Sequence, residues 1–143
     1  MILYLDTSAF LKLYVDEPGS KQVRSAVGQA SVIATHLIAY AEMRAGLAKA
    51  VRIKRISSDD LLAHKQSLDR NWDNMEVIAA TEVLIRRAGD LAEQYDLRGY
   101  DSIHLAAAEA VQRLAGADAD FRLAVFDGGL RRAALAHGVL LLD

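Results

Sequence analysis

Four acidic residues stand in stretches that are otherwise apolar. Asp6 follows the run ILYL, Glu42 is flanked by Ala39, Tyr40, Ala41 and Met43, Asp101 opens SIHLAAAEA, and Asp127 follows RLAVF. Burying a carboxylate without a partner costs several kcal/mol. Carboxylates gathered in one crevice repel unless a cation neutralises them. Hard oxygen donors of this kind suit Mg²⁺ or Mn²⁺. Two such ions can activate a water and stabilise the leaving oxygen in phosphodiester hydrolysis. The competing explanation is local, since Asp is a favoured helix N-cap and Asp6, Asp101 and Asp127 each stand at a helix start. Glu42 escapes that explanation. It sits inside a helical stretch, and Arg44, two residues on, is wrongly spaced to pair with it.

These residues need elements to position them. Short apolar, β-prone runs alternate with longer helical patterns. Strands are expected at Ile2–Leu5, Ser31–Thr35, Met75–Ala80, Arg122–Phe126 and Val139–Leu142. Helical text follows Asp6 through Leu13 or Tyr14. A second helix opens at the turn around Pro18 and runs to about Val27. Others span His36 to about Ile53, Ser57 to about Trp72, Thr81–Tyr95, about Tyr100–Leu114 closed by Gly116, and a short stretch ending at Gly138. Ser57, three residues before Asp60, is a strong helix start. Alternation of this kind predicts an α/β fold with a central parallel sheet of four to five strands and helices on both faces. In such sheets ligands bind beyond the carboxyl ends of the strands, where Asp6 and Asp127 fall.

Bulk properties agree. A chain of 143 residues, 52% hydrophobic and 25% charged, is expected to fold as one domain over residues 1–143. No apolar stretch reaches the roughly 18 residues that span a bilayer, and the short apolar start carrying Asp6 does not read as a signal peptide. The absence of Cys excludes disulfides and thiolate metal sites and fits a cytoplasmic address. The net charge of −2 decides nothing about partners. Locally, Arg44, Lys49, Arg52, Lys54 and Arg55 form a run without acids, either a solvated helix face or a phosphate-attracting surface.

The ordered set Asp6-Thr7-Ser8-Ala9, Glu42, Tyr100-Asp101-Ser102-Ile103-His104-Leu105-Ala106-Ala107-Ala108 and Phe126-Asp127-Gly128-Gly129-Leu130 resembles the PIN domains, and within them the VapC toxins of prokaryotic toxin–antitoxin pairs. The resemblance covers essentially the whole chain. It implies a Mg²⁺- or Mn²⁺-dependent endoribonuclease acting on RNA, dimeric, and held inactive by a cognate antitoxin. It places catalytic, metal-binding roles on Asp6, Glu42 and Asp101, with Asp127 as the fourth acid and Ser8 beside the pocket. Phe126 stands where the family often has Thr or Ser. Asp127 is preferred to Asp118 and Asp120 because it follows a strand.

Arg98, just before Asp101, is a candidate for the scissile phosphate, as is Arg44 at the head of the basic run. His104, one turn after Asp101, reads as a hydrogen-bonded packing residue, because the expected metals prefer oxygen. His36, His64 and His137 show no constellation. Phe10, Leu13 and Tyr14 are candidate partner contacts. Two other functions compete. An aspartate-based phosphatase would use Asp6 as nucleophile, but wants a second Asp where Ser8 stands. A non-catalytic partner-binding module would use the acids only as caps.

Overall fold

The computed structural model describes residues 1–143. Four strands, β1 (Ile2–Leu5), β2 (Val32–His36), β3 (Glu76–Ile78) and β4 (Phe121–Ala124), form one sheet in the order β3-β2-β1-β4. Every pairing is parallel, with Tyr4 opposite Ala34 on one side and Leu123 on the other. Helices α1 (Thr7–Leu11), α2 (Ser20–Gln29), α3 (Ala39–Arg52) and α4 (Ser58–Trp72) supply one layer, and α5 (Glu82–Tyr95), α6 (Gly99–Ala115) and α7 (Gly128–His137) the other.

The central strand explains the apolar run before Asp6. Leu3, Tyr4 and Leu5 are all fully buried. Tyr4 points into the core with Leu91, Leu105, Leu123 and Leu130. Leu3 and Leu5 point the opposite way, among Phe10, Met43, Leu47 and Leu68. A strand covered on both faces loses the alternation of polar and apolar residues that a half-exposed strand keeps.

The expected helix starts and stops hold where local chemistry sets them. Ser57 Oγ accepts from the Asp60 amide while the Asp60 carboxylate accepts from the Ser57 amide, a capping box. Gly116 closes α6 at φ +89°, where a side chain would be strained. Three expectations fail. The terminal segment at Val139–Leu142 is not a fifth strand: it pairs on one side only, through a single bridge between Leu141 and Leu123. The helix after Asp6 stops at Leu11, and residues 12–14 tighten into i→i+3 turns. The third helix starts at Ala39, because His36 still pairs with Ile78 as the last residue of β2. No helix is long and apolar enough to cross a membrane.

Candidate active site

The carboxyl ends of β1 and β4 and the first turns of α1, α3, α6 and α7 share one rim. Asp6 is the extended residue between β1 and α1 and is almost completely buried, with 3% exposed. It caps α1 by accepting the Ala9 amide at 2.8 Å. Ser8 Oγ lies 2.7 and 2.8 Å from the two Asp6 oxygens and itself accepts the Phe126 amide at 2.9 Å. Burial pushes the Asp6 carboxyl up to about 6; the charge of His104, the Ala9 amide and Ser8 oppose this, and Asp101 adds to it.

Glu42 enters from the first turn of α3. Thr7 donates to its Oε1 at 2.8 Å, and His104 Nε2 lies 2.8 Å from the same oxygen. His104 is buried, with its Nδ1 3.0 Å from the Tyr4 hydroxyl. Both ring nitrogens are thus engaged, Nδ1 by the Tyr4 hydroxyl and Nε2 by Glu42. Burial alone would push Glu42 up, but the His104 and Thr7 bonds prevail and hold it below the usual range. Burial raises the Tyr4 hydroxyl well above its ordinary value, helped by Asp6 and Glu42.

Asp101 and Asp127 are joined by Arg98. Its Nε donates to Asp101 at 2.9 Å, and its Nη2 lies 3.6 Å from Asp127. The guanidinium is largely exposed, so these pairs contribute little to stability. Asp127 caps α7 through the Leu130 amide at 3.0 Å. Asp101 is not a cap: Arg98 holds that position, and Asp101 lies in the first turn, so capping cannot account for it. Asp120 stands at the amino-terminal end of the strands, away from the rim, where its carbonyl accepts the Ile2 amide, and it pairs with Arg122. Asp118 is exposed in the same loop.

A divalent ion fits this donor set in kind. The rim offers oxygen donors, and it holds Asp6 where its ionised form is poorly solvated. No three His, Asp or Glu side chains close into a ligand set of their own; the acids are bonded instead to Ser8, Thr7, His104 and Arg98. Mg²⁺ keeps several waters and binds through one or two carboxylates, so it does not need an all-protein cage.

A model of the PIN domain family matches residues 3–134. The chain belongs to the PIN domain family. Ribonuclease VapC45 and Ribonuclease VapC49, from two strains of Mycobacterium tuberculosis, are each 32% identical to this PIN domain over 137 residues, covering 96% of it and 92% of theirs. FitAcB from Neisseria gonorrhoeae superposes with a TM-score of 0.67 at 17% identity, covering 100% of this chain and 97% of that one. VapBC2 from Rickettsia felis, bound to a DNA fragment from their promoter, gives 0.64 at 17% identity, covering 100% and 98%. At that identity these structures speak for the fold alone.

The PIN domain thus brings Asp6, Glu42, Asp101, Asp127, Ser8 and Arg98 to one rim. It does not bring Arg44, which donates to the Tyr40 hydroxyl at 3.1 Å and lies against that ring; Tyr40 in turn bonds Asp69 of α4. Two residues steps away along a helix face the far side. Thr7 was missed, although it sits between Asp6 and Ser8; nothing local tells that its hydroxyl reaches α3. His137 does have a constellation, with Tyr95 and Glu109. His36 accepts the Ile38 amide on Nδ1, while its buried Nε2 has no partner.

Proposed function

We propose that this PIN domain, a single domain over residues 1–143, is a metal-dependent endoribonuclease and the toxin of a type II toxin–antitoxin pair. The observation that supports it most is Asp6: a nearly fully buried carboxylate, destabilised in its charged form, at a rim shared with Glu42, Asp101 and Asp127. The relatives named as VapC ribonucleases agree with that reading.

Asp6, Glu42 and Asp101, with Asp127 at the margin, would hold Mg²⁺ or Mn²⁺. Bound there, the ion supplies Lewis acidity toward a phosphodiester and its attacking water. Ser8 holds the Asp6 carboxylate in one orientation, and Thr7 and His104 do the same for Glu42. Arg98, exposed, bonded to Asp101 and only loosely held by Asp127, would turn from the acids to an RNA phosphate. Exposed Lys49 and Arg52 in the last turn of α3, with Lys54 and Arg55 just past it, offer further phosphate contacts roughly 10–20 Å along the helix direction from Glu42. The partners are an RNA substrate, a cognate antitoxin and a second copy of the chain, in the cytoplasm.

The deciding experiment is cleavage of RNA by the purified protein with Mg²⁺ or Mn²⁺. Asp6→Asn, Glu42→Gln and Asp101→Asn are each expected to abolish cleavage without unfolding the chain, and Asp127→Asn to weaken it. Cleavage retained by any of the first three removes that residue from the site. Cleavage by none of the proteins, wild type included, leaves the partner-binding module as the better reading. The phosphatase reading lacks its second carboxylate, because position 8 is a Ser already bonded to Asp6.

A further inference from the structure

Of the 17 Lys and Arg residues, Lys12 is the one that is buried, at 6% exposed. Its Nζ lies 3.0 Å from Glu17 Oε2 and 4.5 Å from the centre of the Phe126 ring. A buried ion pair is a weak device for stability, since an apolar pair of similar size often does as well. Its value lies in holding one arrangement, and the arrangement held here adjoins the acid rim.

Ser8 and Lys12 are four residues apart, one above the other on α1 and the turn that follows it. Both touch Phe126. Ser8 Oγ accepts the Phe126 amide, and Lys12 lies over the Phe126 ring. The ring also lies against Gly19, where an added Cβ would come within 2.4 Å of it; Gly19 has φ +91° and tolerates that contact only as Gly. Glu17, in the same turn, is fixed by its own amide donating to Ser20 Oγ, which donates in turn to the Val15 carbonyl. Phe126 precedes Asp127, and Ser8 orients Asp6. One clamp therefore sets the β4–α7 corner against the residues that follow Asp6.

We infer that Lys12 is a positioning residue for RNA hydrolysis: paired with Glu17, it holds the Phe126 ring and so keeps Asp127 and the Ser8–Asp6 pair in register across the rim. This rests on the nuclease reading above. Lys12 touches neither RNA nor the reacting atoms. Its loss therefore acts on turnover and leaves substrate affinity unchanged, because small displacements at a reacting centre cost rate steeply.

The test is RNA cleavage by wild type, Lys12→Met, Lys12→Arg, Phe126→Leu and Lys12→Met/Phe126→Leu, with Asp6→Asn as the inactive reference and a melting curve for each. Lys12→Met is expected to stay folded and lose roughly ten- to a hundredfold in kcat, with KM unchanged. Lys12→Arg should recover most of that loss. The double variant should be no worse than the poorer single one, because both act through one contact. If Lys12→Met melts early, Lys12→Met/Glu17→Met, which leaves no charge unpaired, carries the same expectation. Wild-type kcat in the folded Met variants overturns the inference and leaves the nuclease reading standing. So does a loss confined to KM, or losses that multiply in the double variant. A wild type that shows no cleavage above Asp6→Asn overturns both.

Discussion

The molecule builds the same three-residue chain twice, at two places along α6. At the rim, the Tyr4 hydroxyl meets His104 Nδ1 at 3.0 Å and His104 Nε2 meets Glu42 at 2.8 Å. Farther along, the Tyr95 hydroxyl meets His137 Nδ1 at 2.8 Å and His137 Nε2 meets Glu109 at 2.9 Å. In both, Tyr and His rings meet edge to face. The surroundings differ. Arg87 forks onto both oxygens of Glu109 at 2.8 and 2.9 Å, and with His137 holds its carboxyl down to about 2. Glu42 has no such Arg; near its His104 lies Asp6, pushed up to about 6 by burial. A carboxylate matched by a guanidinium is finished as structure. A buried carboxylate with a strongly raised pKa marks a candidate functional site. A cleft of about 430 Å³ opens beside Glu109 and His137, so concavity alone would have pointed to the wrong pair.

That contrast is open to test, and the largest effect should come from exchanging the two glutamates' fates. Glu42→Gln is expected to remove RNA cleavage altogether. Glu109→Gln should cleave at the wild-type rate per folded molecule while melting a few degrees lower, since it leaves Arg87 without its fork. Equal loss of activity in both would erase the distinction.

A second effect is on stability and its pH dependence. Asp6 has a folded pKa of about 6 against an ordinary 3.8, so its contribution is full below the lower value and is lost as pH rises through about 6. Asn keeps the cap on Ala9 without the charge. In chelator, Asp6→Asn should therefore match wild type near pH 4, melt progressively higher than it as pH rises to about 6, and keep a constant margin above that. A variant that melts lower at pH 7 would make Asp6 a cap and nothing more. Glu109 runs the other way. Its carboxyl is lowered from 4.5 to about 2, so its stabilisation is complete above 4.5 and disappears as pH falls toward 2, and Glu109→Gln should lose its stability deficit over that window.

Metal gives a smaller, sharper reading. Mn²⁺ should raise the melting midpoint of wild type and of Glu109→Gln, and barely move Asp6→Asn or Glu42→Gln. The smallest effect is reserved for Arg98→Ala. Its exposed pairs with Asp101 and Asp127 should leave the melting midpoint within about a degree, since surface pairs are worth about 0–1 kcal/mol, while cleavage falls if Arg98 meets the phosphate.

Much of the fold was legible because its causes are local. The Ser57–Asp60 capping box, the Gly116 stop and the caps at Asp6 and Asp127 act over three or four residues, and the apolar runs mark strands covered on both faces. Two of the differences fall where pairing, and not propensity, decides. Val139–Leu142 has strand composition but only Leu123 to pair with, and His36 belongs to β2 because Ile78 lies opposite it.

The same division runs through the site. The sequence by itself determined that Asp6, Asp101 and Asp127 would follow strands or open helices, that Glu42 would lie within a helix, and that the sheet would be parallel with helices on both faces. Hydrophobic patterning and capping are properties of neighbouring residues, and a linear reading contains them. Only the tertiary structure decided which acids are neutralised. Arg87 reaches Glu109 across 22 residues and His104 reaches Glu42 across 62. Charge compensation depends on distance in space, and none of those distances is written in the order of the residues.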